Sequence, residues 1–218
     1  MRKTKLVEGE YYHIYNRGVE KRDIFADDSD RWRFMTLLCV LQSEVVIPNI
    51  NRIISNVKHS MFNNELMREL LSSKTVDLVS FCLMSNHFHC IIRCTKENGL
   101  SKYMQRLGNA YTKYFNTRHG RTGHLFGSGF HSIHIDKDEY LNYLSAYIHL
   151  NPRELPRWRG KEHIYPWSSY QDYIGTNRWG GFLATSVFLD QFKDATEYKL
   201  FLDESDIKNT IDSDYLLD

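Results

Sequence analysis

"CLMSNHFHCII", residues Cys82 to Ile92, decides the reading of this chain. The run is apolar enough for a buried strand, yet it carries two histidines one residue apart. Side chains two apart on a strand project to the same face. His87 and His89 therefore share one face, while Phe88, Cys90 and Ile92 fill the other. Upstream, "VDLVSFCLM" reads as a second strand. A tight turn at Ser85-Asn86, both turn-forming residue types, joins it to "FHCIIRC".

Working outward, "YYHIYNRG" (Tyr11 to Gly18) is aromatic, alternating and stopped by glycine, which predicts a first strand. "DDSDRWRFMTLLCVLQSE" follows as a helix, with Asp28 and Ser29 as cap candidates and Trp32, Met35 and Leu38 at helical spacing. Residues 45–75 are irregular and Asn-rich, an inserted excursion with a short helix near Asn64 to Leu71. "GLSKYMQRLGNAYTKYFNTRHG" forms a helix with Leu100, Tyr103, Met104, Leu107 and Tyr111 on one side. "FHSIHID" is a fourth strand. "DKDEYLNYLSAYIHLNP" is a further helix, acidic in its first turn and stopped at Pro152. The order β-α-β-β-α-β predicts an α+β, ferredoxin-like (split βαβ) antiparallel sheet with helices on one face. Residues 1–175 form this domain, and 176–218 form an acidic, helical C-terminal extension.

The 218 residues support one good core. A 42% hydrophobic and 25% charged composition is that of a globular chain. No apolar run reaches membrane-spanning length, and "MRKTKLVEGEYYH" lacks a signal-peptide core, so the cytoplasm is the expected location. Cys39, Cys82, Cys90 and Cys94 include no CxxC pair and read as small core residues. Net charge is only +1, but it is unevenly distributed. Residues 96–131 hold six Lys or Arg against the single acid Glu97, whereas the tail carries Asp190, Asp194, Glu197, Asp203, Glu204 and further aspartates. Lys102, Arg106, Lys113, Arg118 and Arg121 are candidate DNA-phosphate contacts, with Tyr114 or Phe115 as base-stacking surfaces. Singly, each is better explained by a solvated helix face; together with the basic, Gly-punctuated "RHGRTGH", the cluster favours DNA.

A lone His-x-His pattern is a weak metal signal. The last helix strengthens it, because Tyr147 and Asn151 lie one turn apart on one side. A phenol and an amide oxygen on that side can meet two imidazoles from a strand. Together they would make a tyrosine nucleophile beside a site with two histidines and one oxygen ligand. A hard divalent cation there would polarise a phosphodiester, and no Gly-rich phosphate cradle is present. His124, His131 and His134 are additional histidines with structural or DNA-facing explanations. His149 lies off the Tyr147 side.

Six segments in order resemble the REP-associated tyrosine transposases, within the single-tyrosine HUH transposase superfamily. They are "YHIYNRG", "IFADDSDRWRF", "MSNHFHCII", "GLSKYMQRLGNAYTKYFNTRHGRTGHLF", "YLNYLSAYIHLNP" and "WSSYQDYIG". The resemblance implies His87, His89 and Asn151 as ligands of Mg²⁺ or Mn²⁺, and Tyr147 as nucleophile. It implies cleavage of single-stranded DNA beside hairpins through a 5′-phosphotyrosine. The chain departs from the family pattern at Ser85, where proline is usual, at "GSGFHS" after "GHLF", and at "RELPRWRG" after Pro152. The alternative is a hairpin-binding protein of the same fold that does not cut. A relaxase or replication initiator shares the chemistry but fits this compact order less well. Both a monomer and a homodimer are compatible with the sequence.

Overall fold

The structure, a computed structural model, describes residues 5–47, 50 and 64–204. Much of the expected excursion over 45–75, and the end of the expected extension over 176–218, lie outside the described residues.

Four strands, β1 (Tyr11–Arg17), β2 (Val76–Leu83), β3 (His87–Cys94) and β4 (His131–Ile135), form one antiparallel sheet in the order β2-β3-β1-β4. Two long helices supply the crossovers, α1 (Asp28–Val40) and α3 (Gly99–Arg118), with the short α2 (Asn64–Ser72) before β2. This is the split βαβ plan. Helix α4 (Asp138–Leu150) follows β4, then a 3-10 turn over Asn151–Glu154 and three short helices, α5 (Tyr170–Ile174), α6 (Ser186–Leu189) and α7 (Ala195–Glu204). No helix among the described residues is long and apolar enough to cross a membrane.

Helix α1 begins one residue earlier than its sequence suggested. Asp27, in an extended conformation, is the N-cap, and its carboxylate accepts from the Ser29 and Asp30 amides at 2.8 and 3.1 Å. Asp28 and Ser29 have the same capping chemistry but already lie in the first turn. Helix α3 buries Leu100, Tyr103, Met104, Leu107 and Tyr111, the side its periodicity marked. Its two buried tyrosines reach backbone carbonyls, Tyr103 at Leu38 (2.8 Å) and Tyr111 at Ile24 (2.5 Å). All four cysteines are free and buried.

Helices α1 and α3 share one face of the sheet, where Phe34 packs against Phe88 and Tyr111 at centroid distances of 4.9 and 4.8 Å. Helix α4 covers the opposite face, with Tyr147 edge-on to His89 at 5.4 Å. The C-terminal helices dock behind α4. Tyr198 of α7 is fully buried and its hydroxyl meets Ser145 and His149.

Candidate nucleophile and cation site

The turn between β2 and β3 and the end of α4 meet above the sheet. Strand alternation places His87 and His89 on the α4 face, and the β1–β3 register sets Arg17 opposite His87 and Tyr15 opposite His89. Tyr147 on α4 and Asn151 at its C-cap are separated by one turn and so lie on one side. Pro152 ends regular helix, leaving Asn151 as the C-cap residue with its side chain buried. The four residues singled out by the sequence are thus brought together.

Each imidazole is held from behind. The Asn86 amide nitrogen donates to the Lys21 carbonyl at 3.0 Å, which fixes which end of the amide faces His87. Asn86 Oδ1 then accepts from His87 Nδ1 at 2.6 Å, leaving the lone pair on His87 Nε2. His89 Nδ1 meets His13 Nε2 at 2.9 Å, with both rings wholly buried. On the other side of that ring, His89 Nε2 is buried with no hydrogen-bond partner among the described residues, and the same is true of Asn151 Oδ1. Buried polar atoms are nearly always partnered, so two unpartnered acceptors on the His89 and Asn151 side chains are suited to an ion or a water.

Burial keeps these groups neutral. It pushes the His87 imidazole down to about 4, with the Arg17 charge adding to the effect and the Asn151 side chain opposing it. It lowers His89 well below the ordinary histidine range, helped by the neighbouring His13, His87 and Arg17. His13 is pushed down to about 3 by burial. The Tyr147 hydroxyl is pushed up to about 12, first by burial and then by the charge of Glu154, with Asn151 acting in the opposite sense. At neutral pH the site therefore presents uncharged imidazoles, an amide oxygen and a protonated phenol. Neutral imidazole is the form that ligates a cation, so the donor set fits a divalent ion. Among the described residues no three His, Cys, Asp or Glu side chains gather as a cation site.

Sequence reasoning overlooked His13, Arg17 and Asn86 as parts of this site. The signal for the first two was the alternation His13, Tyr15, Arg17 along β1. Reading it required the pairing register with β3.

The five cationic candidates separate into two groups. Arg118 is bound to Asp27 and the fully buried Asp30, both at 2.6 Å, and Arg106 donates to the Ser43 carbonyl at 2.6 Å. Arg121 lies over Phe115 at 5.9 Å and donates to Asn116. Lys102 is exposed, 3.7 Å from Glu44, and Lys113 is exposed. Both lysines line a cleft of about 750 Å³ with His124, Phe126 and Phe130, beside the "GSGF" segment. Phe115, expected as a base-stacking surface, is buried in the core instead. Tyr114 is half-buried beneath Arg33 at 4.8 Å. Of the remaining histidines, His131 stacks on Tyr15 at 4.9 Å, and His134 meets Glu10 at 2.7 Å. His149 is buried between Ser169 and Tyr198 at 2.7 Å from each.

No curated protein matches the chain. A solved structure described as "Structure of the REP associates tyrosine transposase bound to a REP hairpin" aligns with a TM-score of 0.51 and 13% identity. The alignment covers 86% of this chain and 92% of that one, a likeness of fold. The family profile described as "Transposase IS200 like" matches residues 40–151, just over half of the chain and a span that includes His87, His89, Tyr147 and Asn151. The chain is a member of the IS200-like transposase family.

Proposed function

We propose that this protein cuts and rejoins single-stranded DNA at hairpin elements, with Tyr147 as nucleophile and a divalent cation, Mg²⁺ or Mn²⁺, held by His87, His89 and Asn151. The observation that carries the reading is the convergence of two orphaned buried lone pairs, His89 Nε2 and Asn151 Oδ1, beside the Tyr147 ring. A packed core has no use for that arrangement, since each unpartnered polar atom lowers stability. Hairpin DNA as the partner is supported by the fold shared with a transposase bound to a REP hairpin.

The Tyr147 oxygen attacks the scissile phosphorus, forming a tyrosyl–phosphate ester while the bond from phosphorus to the 3′-oxygen breaks. The phenolic proton is lost, and the departing 3′-oxygen takes up a proton as a hydroxyl. One ester replaces another, so no nucleotide hydrolysis is needed. Attack by a 3′-hydroxyl reverses the step and releases Tyr147. When bound, the cation polarises the phosphodiester and offsets the charge that develops on it. Arg17, across from His87, adds positive charge on the same face. Lys102 and Lys113, exposed beside the "GSGF" cleft, would contact backbone phosphates at a distance from the reaction, with Arg121 just beyond the end of the same helix.

The test is incubation with single-stranded hairpin oligonucleotides from the DNA flanking the gene, in Mg²⁺, Mn²⁺ or EDTA, followed by a denaturing gel. Wild type yields a covalent protein–DNA band with either cation and none in EDTA. Tyr147→Phe and His87→Ala abolish the band. Hairpin binding without an adduct by the folded protein, in either cation, would instead establish a binder that does not cut.

A further inference from the structure

We propose that His13 is a positioning residue that accepts a hydrogen bond from His89 Nδ1 and so keeps the Nε2 lone pair of His89 directed into the site. The inference rests on the cation site proposed above and concerns how that site is prepared.

The two rings are 2.9 Å apart through His13 Nε2 and His89 Nδ1, and one proton lies between the two nitrogens. If His13 Nε2 carries it, His89 Nδ1 is the acceptor and a neutral His89 must carry its own proton on Nε2. That form has no lone pair for a cation. If His89 Nδ1 carries it, Nε2 is free to ligate. His13 Nδ1 is buried without a partner among the described residues in either arrangement, so it does not decide between them. The decision falls at His89 Nε2, where a cation selects the lone pair. The Tyr15 ring, 4.9 Å from His13 and 5.8 Å from His89, packs against both and restrains their rotation.

Asn86 provides an internal comparison. It accepts from His87 Nδ1 and leaves Nε2 of that ring unprotonated. His13 does for His89 what Asn86 does for His87, so both imidazoles present Nε2. Packing alone does not explain a histidine here. A phenyl ring would fill much of the same space without burying an unpartnered Nδ1.

The experiment is titration of the DNA-free protein with Mn²⁺, followed by the electron paramagnetic resonance signal of free Mn²⁺. It would include wild type, His13→Phe, His13→Gln and, as a site control, His87→Ala. Loss of an orienting partner behind a ligand typically weakens metal affinity about 10–100-fold, and that is the expected effect of His13→Phe. His13→Gln, whose amide oxygen can accept from Nδ1, should recover most of the affinity. A folded His13→Phe protein that binds Mn²⁺ as wild type does would overturn the proposal. Should the phenyl variant fail to fold, ¹⁵N NMR of wild-type His89 in saturating Mg²⁺ gives the answer. Protonated Nδ1 supports the proposal, and protonated Nε2 overturns it. Wild type that binds no Mn²⁺, or His87→Ala that binds it unchanged, would instead remove the cation site, which is a separate failure.

Discussion

Strand β3 contributes to both faces of the sheet, and its alternate residues meet opposite environments. Phe88, Cys90 and Ile92 look toward α1 and α3, into a layer of rings and aliphatic chains in which the buried Tyr111 hydroxyl finds the Ile24 carbonyl. His87 and His89 look toward α4, where His89 Nε2 and Asn151 Oδ1 are buried without partners among the described residues. Phe88 on the first face and His89 on the second are both buried. The second face differs in holding two unpartnered buried acceptors close to the Tyr147 ring, an arrangement suited to a ligand rather than to stability. Substitutions on the first face should therefore lower stability. On the second they should remove function and leave the fold nearly intact.

The largest expected effect is Phe34→Ala. This ring is fully buried against Phe25, Phe88 and Tyr111, and its removal leaves a cavity among aromatics. The loss should be about 3–5 kcal/mol, read from urea denaturation. A loss under about 1 kcal/mol would mean that this face collapses freely, and the contrast between the faces would disappear.

Arg118→Gln comes next and tests a residue whose sequence suggested DNA. Its guanidinium joins α3 to the start of α1 through Asp27 and Asp30, and Asp30 is also met by His119 at 3.0 Å. Leaving the buried Asp30 carboxylate with fewer partners should cost about 2–3 kcal/mol. The hydrogen bond from Arg118 holds the Asp27 carboxyl well below its ordinary range, and the Asp30 and Ser29 amides act in the same sense. A carboxyl with a lowered folded pKa adds stability that is present above its unfolded value, about 3.9. That stability is lost as pH falls through the folded value. The gap between wild type and variant should therefore narrow below about pH 4 in denaturation curves measured from pH 7 downward. A variant of unchanged stability that binds hairpin DNA with a shallower salt dependence would return Arg118 to the phosphate-contacting group.

Local pattern made much of this molecule legible. Alternation marked β1 and β3, helical spacing marked the buried side of α3, and the one-turn interval between Tyr147 and Asn151 put them on one side of α4. These relations are set within a single element, so sequence carries them. What sequence did not carry depends on pairing between distant segments. His13 becomes a neighbour of His89 only because β1 pairs with β3 in one particular register across 76 residues. Arg118 was legible as a cation on a helix, but its partner Asp27 is 91 residues away. The cap of α1 was ambiguous for a different reason. Asp27, Asp28 and Ser29 all have capping side chains, and backbone geometry chose among them.

The smallest effect on stability, and the sharpest test of the comparison, is Asn151→Ala. Removing the amide relieves the desolvation cost of its oxygen while losing its interactions with Tyr147 and His87 and some packing at the end of α4, so stability in EDTA should change by no more than about 1 kcal/mol. The difference should appear when Mn²⁺ is added. A ligand that binds only the folded state stabilises it by about 2.7 kcal/mol at one hundred times its Kd. Wild type should show that rise in melting temperature, and the variant should show little of it at the same concentration. A variant that loses more than about 2 kcal/mol in EDTA would make Asn151 a structural residue, and the α4 face a second core of the ordinary kind. A variant with unchanged stability and an unchanged response to Mn²⁺ would keep the contrast between the faces but take the oxygen ligand from it. The cation would then have to be held by the two imidazoles and groups other than Asn151.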